Sequence, residues 1–140
     1  MERQSDFSFA RVLLVDDDPT SRLTLQTVLE AGGYSVHSAA SAAEAVEKMG
    51  SNVYELVLSD VQMESPEAGY KVIAHARMMN YKPATALVTS YQTGGASDGR
   101  SVLIEPQNVP DLLTKVAEMI GERASRQVNR EVRLATLAAS

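Results

Sequence analysis

Arg11-Val-Leu-Leu-Val15-Asp16-Asp17-Asp18-Pro19 is an aliphatic run of five residues closed by three acids and a proline. An apolar run that short, with polar punctuation after it, reads as a buried strand. Asp18 ahead of Pro19 pairs an N-cap residue with a first helical position, so a helix opens as soon as the strand ends. Leu23, Leu25, Val28 and Leu29 carry that helix, and Gly32-Gly33 stop it. The pattern repeats outward. Tyr34-Ser-Val-His-Ser38 alternates like a strand, and Ser41-Ala-Ala-Glu44 is a capping box for a helix running through Val46 to Met49. Residues 54–59 (Tyr-Glu-Leu-Val-Leu-Ser) form a third apolar run that ends at Asp60, and Val72, Ile73 and Ala76 share a face of a helix over about 69–80. Thr85-Ala-Leu-Val-Thr89 and Ser101-Val-Leu-Ile104 complete five strands. Asn108-Val-Pro-Asp opens a last helix bearing Leu112, Leu113, Val116, Ala117 and Ile120.

Strand and helix in alternation predict an α/β fold, a doubly wound parallel sheet with helices on both faces. In such sheets, ligands gather at the carboxyl ends of the strands. The residues at those ends are Asp16 to Asp18, Asp60, Thr89-Ser90 and Glu105-Pro106, so three of the four positions are acidic. Clustered carboxylates repel one another, and a hard divalent cation such as Mg2+ relieves that repulsion. The chain has no cysteine, which excludes disulfides, thiolate metal sites and a Cys nucleophile. A carboxylate beside Mg2+ is also a competent nucleophile toward phosphorus.

This constellation resembles the receiver domain of two-component response regulators over residues 11 to about 121. Val-Leu-Leu-Val-Asp-Asp-Asp-Pro matches the family's first strand and acid pair, at Asp16 and Asp17. Leu-Val-Leu-Ser-Asp60-Val-Gln-Met matches the phosphoacceptor segment, and Ala-Leu-Val-Thr89-Ser matches the strand that ends in a phosphate-binding hydroxyl. The resemblance implies a flavodoxin-like five-stranded sheet in the order 2-1-3-4-5. It further implies phosphorylation of Asp60 and Mg2+ held by Asp17, Asp60 and the backbone carbonyl of Gln62, with Asp16 acting through water. The phosphoryl donor would be a histidine kinase or phosphotransfer protein, and the signal would leave by contact with a downstream protein.

Departures from the family pattern fall on the output side. Glu105-Pro106 stands where the family has Lys-Pro, and Val102 stands where it has an aromatic switch residue. Two unit charges ~4 Å apart interact by roughly 4 kcal/mol at an effective dielectric near 20, so reversing one sign is a large change. About ten Gly-rich residues separate Thr89 from the fifth strand, too few for a typical helix of ~10–14 residues. The family's fourth helix is therefore expected to be shortened or missing. These departures keep open a phosphorylation-independent pseudo-receiver. A haloacid dehalogenase-like phosphohydrolase is a third reading, because Asp16-x-Asp18-x-Thr20 fits its first motif, although no later acid pair follows.

Charge is distributed unevenly. The whole chain of 140 residues carries −5, from 13 Lys+Arg against 18 Asp+Glu. Residues 122–140 hold Arg123, Arg126, Arg130 and Arg133 against Glu122 and Glu131, a net +2, which leaves −7 on residues 1–121. Direct nucleic-acid binding is not expected from such an acidic chain. With no apolar run of membrane length and no signal peptide, a cytoplasmic protein is expected. The expected organisation is an arm at 1–10, the receiver at 11–121 and a helical extension or tail at 122–140. Ala124, Val128, Val132, Ala135 and Ala139 form an apolar stripe there. It admits a homodimer through the C-terminal helix, docking on the acidic body, or a frayed tail.

Overall fold

The computed structural model describes residues 10–60, 63–65, 67–88, 102–104 and 109–139. The elements run β1 (Arg11–Val15), α1 (Pro19–Ala31), β2 (Ser35–Ala39), α2 (Ala42–Ser51), β3 (Leu56–Asp60), α3 (Ala68–Arg77), β4 (Ala84–Val88), β5 (Val102–Ile104) and α4 (Val109–Ala139). All strand pairs are parallel, and the sheet order is β2-β1-β3-β4-β5, as the family resemblance implied. Val102 pairs with Ala86 in β5. The shortened fourth helix was expected within residues 89–101, which lie outside the described residues.

Alternation along the strands splits the core into two layers. Val12 and Leu14 of β1, with Leu56 and Leu58 of β3, pack under Leu25 and Leu29 of α1 and Leu112 and Val116 of α4. Leu13, Val15 and Val57 point to the other face, against Ala45 and Met49 of α2 and Val72 and Ala76 of α3. Both faces of β1 are covered, so an aliphatic run without polar alternation is what its position requires.

Local chemistry sets the helix ends. The Asp18 carboxylate accepts the Ser21 N–H at 2.8 Å and caps α1. At its far end the chain turns through Gly33, whose φ of 100° favours glycine. A Cβ on the preceding Gly32 would come within 2.8 Å of Leu113 Cδ2, so α4 packs directly on that turn. Ser41 Oγ accepts the Glu44 N–H and the Glu44 carboxylate accepts the Ala40 N–H, so the expected capping box opens α2.

Met63 is buried and Met79 and Met119 pack on the core, whereas Met78 is 75% exposed. Met78 is the C-cap of α3 and falls off the face that Val72 and Ala76 bury. His37 meets Tyr54 OH at 2.8 Å through Nδ1, with the rings edge to face. Burial pushes the His37 pKa down and the Tyr54 pKa up, which favours the neutral form of both partners.

α4 crosses residue 121 without a break. Arg123, only 7% exposed, donates from Nε to Lys82 O at 2.9 Å and from Nη2 to Tyr81 O at 2.7 Å. Lys82 has a φ of 45°, in the left-handed region that costs a non-glycine residue about 1–2 kcal/mol. The guanidinium therefore clamps a strained turn between α3 and β4. Arg123→Ala is expected to destabilise the protein by about 2–3 kcal/mol in urea unfolding, because two carbonyls lose charged donors. Arg123→Lys should recover only part of that, since one ammonium cannot reproduce the fork.

Candidate functional site

Register builds the site. Val15 of β1 pairs with Ser59 of β3, so the next residues, Asp16 and Asp60, leave the two central strands at the same level. Asp16 continues the 12, 14 series and Asp60 the 56, 58 series, both on the α1/α4 side of the sheet by the period of two. Neighbouring strands lie about 4.8 Å apart, which sets the separation of the two acids. Asp17 joins them from the start of the β1–α1 loop. One carboxylate oxygen from each of Asp16, Asp17 and Asp60 lies within 4.8 Å of the other two.

The three acids differ in exposure. Asp16 is 1% exposed, Asp60 is intermediate and Asp17 is exposed. Asp16 is held on all sides: its N–H donates to Ala39 O at 3.0 Å, and its Oδ1 accepts the Asp18 N–H at 2.9 Å. Its backbone carbonyl accepts from Arg22 Nη1 at 2.7 Å. No motif in the sequence marks Arg22 as part of the site. The signal available was its place one turn into a helix that Asp18 and Pro19 open, from which a long side chain folds back over the β1–α1 loop. Its guanidinium ties the first turns of α1 to the backbone of the residue that leaves β1.

A second contact closes the rim. Ala42 N–H at the start of α2 donates to Glu64 Oε2 at 3.1 Å, so the segment after β3 is tied to a helix N-terminus that favours an anion. Asp18, required in the pocket by the phosphohydrolase reading, is instead committed to capping α1 and stands outside the acid triad. Gln62, Thr89 and Glu105 lie outside the described residues. In the chain, Thr89 directly follows Val88, which pairs with Asp60 across β3 and β4.

The chemistry open to this arrangement follows from its donors. Three oxygen ligands with no nitrogen or sulfur among them suit a hard divalent cation. A half-exposed carboxylate at the end of a buried strand is fixed in direction yet reachable from outside the protein. Among the described residues, no helix is long and apolar enough to cross a membrane.

Comparison with known proteins places this architecture. The sequence pattern of the family described as response regulator receiver domain matches residues 12–117. The gliding motility regulatory protein of Myxococcus xanthus is 41% identical over 78 residues, covering 56% of this chain and 10% of that protein. The chain spans only about a tenth to a fifth of the length of the curated relatives it matches, from 9% to 18%. Among solved structures, the response regulator TrrA of Thermotoga maritima, in complex with Mg2+ and BeF, is 28% identical with a TM-score of 0.69. That match covers 79% of this chain and 99% of TrrA. A CheY-like receiver domain protein from Methanospirillum hungatei is also 28% identical, with a TM-score of 0.73, covering 85% of this chain and 99% of that one. The family match begins inside β1, takes in every strand and ends in α4, and the chain belongs to the response regulator receiver domain family.

Proposed function

We propose that this chain receives a phosphoryl group on Asp60, with Mg2+ held beside it, and passes the signal on by protein contact. The approach of Asp16, Asp17 and Asp60 carries this reading. Asp17, Asp60 and the Gln62 backbone carbonyl would hold the cation, with Asp16 reaching it through water. Bound there, Mg2+ would offset negative charge on the phosphoryl oxygens. The donor is the phosphohistidine of a histidine kinase or phosphotransfer protein. An Asp60 oxygen forms the new O–P bond as the P–N bond breaks, and the imidazole nitrogen keeps the electron pair and takes a proton from solvent. Thr89 hydroxyl donates to a phosphoryl oxygen, while Glu105 adds repulsion where a lysine would attract. The TrrA complex with Mg2+ and BeF is consistent with a cation in a site of this class.

The pseudo-receiver reading rests on Glu105 and Val102, and labelling separates the two. With acetyl phosphate and Mg2+, intact-mass spectrometry should find one phosphoryl group, absent in Asp60→Ala. Glu105→Lys should raise the yield or lifetime of the labelled form. No labelling of the wild type, or equal labelling of Asp60→Ala, would remove phosphotransfer from the account. Asp17→Asn should weaken Mg2+ binding by at least about tenfold in calorimetric titration, equivalent to roughly 1.4 kcal/mol.

The end of α4 favours self-association as part of the same function. Residues 124–138 are exposed along one helix, and Val128 and Val132 are 56% and 58% exposed. Apolar side chains exposed on such a stretch lose contact with water when a partner covers them. Ala124, Val128, Val132 and Ala135 share one side of it, the geometry of a helix pairing with a second copy. Sedimentation at micromolar concentration should give a dimer, and Val128→Glu with Val132→Glu should give a monomer. A monomeric wild type would exclude the pairing.

A further inference from the structure

We propose that the groove between the α3–β4 turn and α4 docks a short acidic peptide segment of a partner protein. Arg77 and Lys82 line one wall, and Arg123, Arg126 and Arg130 line the other, around a cavity of about 370 Å3. Five of the chain's 13 Lys and Arg residues thus line one space, and among the described residues no acid lines it. The volume falls in the range of about 300–1,000 Å3 typical of binding clefts.

Its walls are built rather than draped. Arg123 is buried and holds the carbonyls of Tyr81 and Lys82, and Lys82 Nζ donates to Arg77 O at 3.1 Å. The left-handed φ of Lys82 fixes the turn that separates Arg77 from Pro83. Strain of this kind persists where the surroundings over-determine it. Arg126 and Arg130 extend from the exposed face of α4 one turn apart. Glu122 precedes Arg126 by four residues, yet the two form no ion pair among the described residues.

Position separates this groove from the acid triad. Pro83 precedes the first residue of β4, whereas Asp60 is the last residue of β3. The two features therefore lie at opposite ends of a parallel sheet, about 16 Å apart for five residues at ~3.3 Å each. The groove is also compatible with helix pairing, because Arg126 and Arg130 stand two residues from Val128 and so point away from it.

Charge selects the occupant. Residues 1–121 carry −7, so a long polyanion such as nucleic acid must run beside a repelling body once it leaves the groove. A short run of Asp and Glu meets Arg126 and Arg130 on the exposed face of α4, with Lys82 across the groove. Desolvated pairing of carboxylates with arginine forks supplies the recognition.

The test uses the full chain and a fluorescein-labelled oligo-glutamate peptide, read by fluorescence anisotropy. Binding should weaken as salt is raised. Arg126→Glu with Arg130→Glu should weaken it by at least about tenfold. Lys71→Glu with Lys115→Glu makes the same charge change away from the groove and should leave affinity within about threefold. Absence of binding, or equal loss in both double variants, overturns the proposal. Tighter binding of oligo-deoxythymidylate than of oligo-glutamate would assign the groove to nucleic acid instead. Self-association that disappears in Arg126→Glu with Arg130→Glu would assign it to a second copy. Unchanged circular dichroism in each variant keeps these outcomes readable.

Discussion

Parallel pairing of β1 with β3 is the constraint on which the rest of the molecule depends. Val15 lies opposite Ser59, and the pairing covers β1 from Val12 onward, with β2 bonded along its other edge. A slip of one residue would exchange the two faces of β3. Leu56 and Leu58 would then leave the α1/α4 layer, and Asp60 would turn away from Asp16. Hydrophobic sorting and the position of the acids are thus decided together, so core packing holds the carboxylates in place against their mutual repulsion.

Much of this was legible from the residues. Aliphatic runs bounded by Asp, Gly and Pro place the strands, and Asp18-Pro19 and Ser41-x-x-Glu44 place helix starts to the residue. The acids at strand ends follow from the topology once a parallel sheet is accepted. What stayed hidden depends on contacts between distant segments. Arg123 reads as one basic residue among four in a charged extension, yet it is a buried clamp on residues 81 and 82. His37 and Tyr54 are 17 residues apart, and it takes the pairing of β1 with β2 on one side and β3 on the other to bring them together. Lys82 gives no sign in sequence of a left-handed backbone, since glycine or asparagine would be the usual choice there.

Charge follows the same axis as the sheet. The acid triad sits at the carboxyl ends of the strands, while Arg77, Lys82 and the arginines of α4 gather at the opposite end. A net −5 therefore does not describe either end of the sheet. α4 joins the two parts of the chain. Its first turns complete the core through Leu112 and Val116, Arg123 anchors its middle, and its last turns stand clear of the body.

The central claim is that β1 and β3 bring their terminal acids together to hold a divalent cation beside Asp60. Anomalous diffraction from crystals soaked in Mn2+, which shares the oxygen-ligand preference of Mg2+, tests it directly. The account predicts an anomalous peak at bonding distance from carboxylate oxygens of Asp17 and Asp60. A well-ordered site with no peak among the three acids, or a peak held without Asp17 and Asp60, would contradict it.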